Sequence, residues 1–297
     1  MSVVKAYPGS ISSILYEAAL KLKNAGIKEG RSEAEIILSE ITGLSRLGLY
    51  ANSKESVSPA VKENFDEAVI LRSKRFPMAY VLGKKEFYGY EYYISPEVMV
   101  PRPESELLID AVISRLNNSE KGNFQELKII DLGTGSGVLA ITLALLLPRA
   151  SLWAVDISPE ALKVAQKNAR YHRVDGRINF LEGDFWGALD SKPHFFNVII
   201  SNPPYIPSCH LESLEPEIKK YEPRCALDGG ADGLESYRSV FASISYYVSS
   251  PAILALEIAP NSIRNVLALG RQEPLIKEME IIKDYSKLDR IFMGLMY

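Results

Sequence analysis

A mostly parallel α/β sheet preceded by a small helical bundle is the architecture that this 297-residue sequence predicts. Three observations carry it. Apolar residues recur at helical spacing through the first 84 residues, short apolar runs alternate with amphipathic stretches from residue 128 onward, and one of those runs opens into a glycine-rich turn. The last two runs can pair as an antiparallel edge. The expected organisation is a helical recognition domain over residues 1–84, a β-hairpin linker over 85–100 and a larger α/β domain over 101–297.

Composition narrows the function classes. With 47% hydrophobic and 24% charged residues, the chain reads as soluble and well cored. No apolar stretch reaches membrane-spanning length, and Met1–Ser10 lacks a basic segment followed by an apolar run, so neither anchor nor signal peptide is expected and the expected compartment is the cytoplasm. Two cysteines, Cys209 and Cys225, give no disulfide framework, and His172, His194 and His210 are too scattered for a metal site, so none is expected. A formal net charge of −3 argues against an obligate nucleic-acid binder. Residues 1–85 carry 13 Lys+Arg against 9 Asp+Glu, leaving the rest acidic, which suits a solvated helix surface or a partner-docking face.

In the first domain Ile11, Ile14, Leu15, Ala18 and Leu22 share one helix face, with Ser10 as N-cap and Gly26 as the stop. Ser32 and Glu35 form a capping-box pattern for a second helix ending near Gly43, and a short third helix runs from Arg46 to Tyr50. Ser58 followed by Pro59 starts a fourth, which Phe65, Ala68, Val69 and Arg72 carry toward Pro77. Phe87–Tyr93 with Gly89 at its centre reads as an aromatic-rich hairpin, serving either as a binding platform or as core packing. In Val100–Glu106 two prolines stiffen the chain around Arg102 and put Glu104 at a helix start, where the macrodipole favours a carboxylate. Such a segment is a linker with a cap or a binding element.

The α/β half then supplies a pocket in order. Ile129–Asp131 ends a strand, Gly133, Thr134, Gly135, Ser136 and Gly137 form the turn, and a helix follows from Val138 to Leu147. This is a cradle for a nucleotide-like ligand, since glycine lets backbone N–H groups approach closely. Val138 stands where a dinucleotide fingerprint needs its third glycine, which disfavours NAD or FAD. The next strand, Leu152–Val155, ends in Asp156, placed to accept from both hydroxyls of a ribose or to cap the helix beginning at Pro159. A third strand, Ile178–Leu181, leads to Asp184 and Phe185, an acceptor and a ring suited to adenine. Phe196–Ser201 is the fourth, and Asn202, Pro203, Pro204 and Tyr205 follow it. Two prolines cannot continue a ladder, so the chain leaves the sheet there with its carbonyls exposed. A long loop without strong periodicity follows from Ile206 to Gly233. Strands at Ala252–Ile258, Ile276–Tyr285 and Arg290–Met296 complete the sheet, with a helix near Ser262–Leu269.

Gly133–Gly137 with Asp156, Asp184 and Asn202–Tyr205 resembles the class I S-adenosylmethionine methyltransferases that modify nitrogen, whose catalytic sheet is Rossmann-like. The match narrows over Tyr80–Gly83, Glu86–Gly89, Val100–Glu106, Tyr221–Arg224, Gly229, Gly230, Asp232–Leu234 and Tyr237. Together these resemble the peptide chain release factor glutamine methyltransferases, the PrmC or HemK family, over nearly the whole chain. The resemblance implies methyl transfer from S-adenosylmethionine to the side-chain amide nitrogen (N5) of the glutamine in the Gly-Gly-Gln motif of class 1 release factors. It implies that Gly133–Gly137 hold the methionine portion, Asp156 the ribose, Asp184 and Phe185 the adenine, and that Asn202 lies next to the donor. Asn202, Pro203, Pro204 and Tyr205 would then bind the glutamine, Pro101–Glu106 with Arg102 and Glu104 would fold over the cofactor and substrate, and the Ile206–Gly233 loop would shape the channel. Ser105 replaces the family's usual threonine, and Ala259, Pro260 and Asn261 replace its usual glycine and glutamine after Ile258. Asn202–Tyr205 alone is shared with adenine N6 and guanine N2 methyltransferases, so a nucleic-acid amino-methyltransferase is the alternative reading.

Overall fold

The computed structural model describes residues 9–118, 127–189 and 195–297. It divides the chain into two units: Met1–Gly83 with Pro216–Tyr221, and Lys84–Glu215 with Glu222–Tyr297.

The first unit is helical. Helices α1 (Ile11–Asn24), α2 (Gly30–Thr42), α3 (Arg46–Ala51), α4 (Pro59–Ser73) and α5 (Met78–Leu82) bury Ile14, Leu22, Ile37, Leu38, Leu49 and Phe65 in one cluster. Ser10 and Ser58 cap α1 and α4 by accepting from Ser13 N and Val61 N. The expected capping box is absent, because α2 begins at Gly30, two residues before Ser32. Glu35 serves instead as a buried carboxylate accepting from Arg31 (2.6 Å), Arg46 (2.6 Å) and Tyr50 (2.5 Å). Helix α4 stops at Ser73, short of Pro77.

Within the second unit β1 (Lys84–Phe87) and β2 (Tyr90–Tyr93) form the hairpin. Tyr88 and Gly89 at its tip both have positive φ (53° and 75°), the two-residue turn whose twist matches the flanking strands. Phe87 and Tyr92 are buried, so these two aromatics are core. Helix α6 (Glu106–Asn118), β3 (Lys128–Leu132), α7 (Val138–Leu146), β4 (Ser151–Asp156), α8 (Pro159–Tyr171), β5 (Ile178–Glu182) and β6 (Phe196–Ser201) follow in alternation.

The segment read from the sequence as loop contains a short helix, α9 (Pro216–Tyr221), which groups with the first unit. There Glu217 accepts from Arg72 (3.0 Å) and Arg75 (2.6 Å), and the Tyr221 ring meets Phe76 edge-on at 5.0 Å. Six residues are too few to show a helical period. A longer helix, α10 (Glu235–Tyr247), lies where the sequence reading places no element, although Tyr237, Val240, Phe241 and Ile244 mark its buried stripe. Then come β7 (Val248–Glu257), α11 (Ile263–Gln272), β8 (Ile276–Lys283) and β9 (Asp289–Met296).

The seven strands lie in the order β5-β4-β3-β6-β7-β9-β8. The first five are mutually parallel, and β9 is antiparallel to both β7 and β8, forming the antiparallel edge. Strand β6 is buried throughout, as a central parallel strand covered on both faces must be. The consequence for function is positional. The chain runs outward from β3 through β4 to β5 on one side and resumes with β6 on the other, so the crevice at the carboxyl ends of β3 and β6 is a topological switch point.

Candidate active site

Each parallel strand delivers one polar group to that crevice. From one side to the other these are Asp184 after β5, Asp156 ending β4, the glycine turn after β3, Asn202 after β6 and Glu257 ending β7. Ser201 Oγ donates to Leu132 O (2.5 Å), tying the ends of β6 and β3 together at the point where both motifs begin. A cavity of about 350 Å³ opens there, a size suited to a nucleoside-bearing small molecule. Gly133, Thr134, Gly135, Ser136, Asp156, Asp184, Phe185, Asn202 and Pro204 line it.

The glycine turn is held from behind. Thr134 Oγ1 donates to Asp131 Oδ2 (2.6 Å), and Asn168, fully buried on α8, donates to Ser136 O (2.8 Å) and Tyr93 O (3.0 Å). Asn168 therefore fastens the hairpin to the turn, a role the sequence did not signal. Gly137 does not line the cavity; a Cβ there would lie 2.8 Å from Ile141 and 3.1 Å from Ala165, so its glycine is required for close packing of α7. At Gly135 a Cβ would meet nothing, because the turn faces open space.

Asp156 accepts from Gly135 N (2.8 Å) and Ser158 N (3.0 Å), and its pKa is raised chiefly by burial. The cap of α8 is Ser158, not Asp156. Beneath the turn Asp131 is fully buried, and burial pushes its pKa up to about 7 against the hydrogen bonds from Thr134 and Ala140 N. Its Oδ1 has no partner among the described residues. An open glycine cradle with the Asp156 and Asp184 carboxylates on the cavity wall suits a ligand with hydroxyl and amino groups such as S-adenosylmethionine.

Around Asn202 the geometry is specific. Asn202 Nδ2 donates to Ser105 Oγ (2.9 Å), and Ser105 Oγ donates to Glu257 Oε2 (2.5 Å). Tyr205 OH donates to Glu257 Oε1 (3.2 Å), and Tyr237 OH donates to Glu257 O (3.0 Å). Pro203 is buried, and neither it nor Tyr205 lines the cavity. The segment is backed by Gly229, where a Cβ would fall 2.8 Å from Tyr205 Cα and 2.9 Å from Pro204 O. Gly229 N donates to Ile206 O (2.8 Å) and Ile206 N to Leu227 O (3.0 Å), a short ladder that fixes the strand exit.

Arg102 and Glu104 do not line the cavity. Arg102 donates to Glu222 Oε1 (2.5 Å), and Val100 N reaches Glu222 Oε2 (3.3 Å). Glu222 thereby clasps the Val100–Arg102 segment. Among the described residues no three His, Cys, Asp or Glu side chains cluster as metal ligands; His194 lies outside them. Nor is any described helix long and apolar enough to cross a membrane. Asn168, Glu222 and Glu257 escaped the sequence reading as site residues because each acts through backbone or side-chain partners far away in the chain, and Asp131 because it reads simply as the last residue of its strand.

A switch-point cavity behind a glycine turn, with Asn-Pro-Pro-Tyr at the neighbouring strand end, defines the class: residues 105–213 match the Methyltransferase small domain and residues 13–83 the PrmC N-terminal domain. The chain is 36% identical over 285 residues to a release factor glutamine methyltransferase of Moorella thermoacetica, covering 96% of this chain and 98% of that one. It is also 36% identical to a protein of that name from Geobacter sulfurreducens, over 92% of both chains. It belongs to the release factor glutamine methyltransferase family. Among solved structures, the hMettl16 catalytic domain in complex with a 3′UTR hairpin shares the fold with a TM-score of 0.57 at 12% identity, covering 81% of this chain and 83% of that one. The N-terminal domain of human METTL16 does so with a TM-score of 0.52 at 14% identity, over 83% and 86%.

Proposed function

We propose that this chain transfers a methyl group from S-adenosylmethionine to the side-chain amide nitrogen of the glutamine in the Gly-Gly-Gln motif of class 1 peptide chain release factors. The observation that carries the reading is Asn202 at the exit of β6, with its Nδ2 already bonded to Ser105. Its Oδ1 is then the end left for a substrate. Gly133–Ser136, Asp156, Asp184 and Phe185 would hold the donor, which when bound supplies an electrophilic sulfonium methyl.

An amide nitrogen is a poor nucleophile because its lone pair is delocalised into the carbonyl. Orientation replaces base catalysis in this reading: the nitrogen gains the methyl and gives up one of its two hydrogens as a proton to solvent once the new bond has formed. Asn202 Oδ1 and the Pro203 carbonyl each accept one N–H of the glutamine amide, which turns the remaining lobe of nitrogen toward the methyl. Proline suits the second position because it fixes the backbone and brings no competing donor. Tyr205, with its hydroxyl held by Glu257, keeps a ring beside the planar amide and excludes water. Positioning of this kind supplies up to about 7–11 kcal/mol of a barrier in favourable cases. The same reading puts the work of the protein in the cytoplasm, on a protein substrate and not on nucleic acid.

The test is Asn202→Ala. Transfer to release factor is expected to fall by about 100-fold or more, the range for removing one preorganised polar contact, while donor affinity by calorimetry changes little. Full activity of that variant would refute the reading.

A further inference from the structure

Glu257 ends β7, the strand beside β6, and is 1% exposed. Its carboxylate takes two hydroxyl donors, Ser105 on Oε2 (2.5 Å) and Tyr205 on Oε1 (3.2 Å). We propose that Glu257 is a positioning residue that sets the polarity of the Ser105–Asn202 hydrogen bond, so that Asn202 presents its carbonyl oxygen, not its NH2, to the amide being methylated. The inference rests on the function proposed above, in which Asn202 Oδ1 is the acceptor.

The argument is one of hydrogen counting. A serine hydroxyl has one hydrogen and can either donate to a neighbouring amide or accept from it; an asparagine amide can face it with either end. Left alone, the pair has two arrangements of similar energy, and one of them aims NH2 at the substrate nitrogen, where two donors would oppose each other. An ionised carboxylate can only accept. It therefore claims the Ser105 hydrogen, leaves Ser105 Oγ only as an acceptor, and turns the Nδ2 end of Asn202 toward Ser105 at 2.9 Å. The Asn202 oxygen is thereby directed the other way. The same carboxylate fixes the Tyr205 hydroxyl, so the two ends of the Asn-Pro-Pro-Tyr segment are referred to one buried anchor.

The groups facing Glu257 are Ser105, Tyr205, Tyr237, Arg290 and Glu104. Burial and Glu104 favour its neutral form, whereas the two hydroxyls and Arg290, itself held by Asp284 (3.0 Å), favour the anion; burial dominates and the pKa is raised, so the accepting arrangement belongs to the ionised form on the alkaline side of that pKa. A protonated Glu257 could donate to Ser105 and reverse the chain. Glu257→Gln reproduces that state permanently, with almost no change of shape.

The experiment measures kcat on release factor at saturating donor, together with donor affinity by calorimetry, for wild type, Glu257→Gln, Ser105→Ala and Ser105→Thr. Glu257→Gln and Ser105→Ala are expected to lose about 10- to 100-fold in kcat, a share of what one misdirected polar contact costs. Donor affinity in both should stay within about threefold, and Ser105→Thr, which keeps the hydroxyl, should stay within about threefold of wild type, since each residue acts on polarity and not on packing. Wild-type kcat should fall on the acid side as Glu257 takes up its proton, and this limb should be absent in Glu257→Gln. Wild-type turnover in Glu257→Gln, or equal loss in Ser105→Thr and Ser105→Ala, would overturn the inference alone. A wild-type protein that leaves the glutamine unmodified would overturn the function proposed above, and the inference with it.

Discussion

Asp131 is fully enclosed, and only one of its two carboxylate oxygens has a partner among the described residues. Its folded pKa of about 7 lies above the ordinary carboxylate value of about 3.9. Between those values the folded chain holds a proton that the unfolded chain has lost, so its contribution to stability is full below about pH 4 and is lost as pH rises through about 7. Replacing it with Asn should remove that dependence. The melting temperature of wild type relative to Asp131→Asn is expected to fall between pH 5 and pH 8 in the absence of donor, and a pH-independent difference would contradict the burial argument. Asp156→Ala should weaken donor binding by about tenfold or more, the worth of one or two hydrogen bonds to a ligand, with little change in kcat at saturation; unchanged affinity by calorimetry would refute its ribose role.

At the scale of elements, the exit of β6 is held by a second piece of backbone. The ladder from Ile206 to Leu227 and Gly229 leaves no room for a side chain at Gly229. Gly229→Ala is therefore expected to lower kcat by about tenfold or more while donor affinity stays near wild type, since the added methyl presses on Pro204 and Tyr205 and not on the glycine turn. Activity within twofold of wild type would show that the loop is not what positions the segment. The elements also show where sequence was informative. Asn-Pro-Pro-Tyr, the glycine turn and Asp156 were legible because each is local: proline forbids strand continuation, glycine permits the turn, and an acid at a strand end needs no distant partner to be noticed. Helix α10 carries a helical stripe of its own in Tyr237, Val240, Phe241 and Ile244, which the sequence does contain. Ser32 and Glu35 misled because a capping-box spacing also fits a helix interior, where Glu35 meets Arg46 and Tyr50.

For the molecule as a whole, strand order carries the information that no local pattern holds. Strands were readable one by one, but only the order β5-β4-β3-β6-β7 puts Asp184, Asp156, the glycine turn, Asn202 and Glu257 in a row along one sheet edge. That order makes Glu257, separated from Ser105 by 152 residues, a partner of the same site. Likewise Arg102, which the family resemblance implies at the substrate, is engaged by Glu222, 120 residues away. The most direct measurement of the central claim is incubation with label-bearing S-adenosylmethionine and purified class 1 release factor carrying either Gln or Ala in its Gly-Gly-Gln motif. The account predicts label on the Gln form alone, at the side-chain amide nitrogen. Equal labelling of both forms, or label appearing only on added nucleic acid, would contradict it.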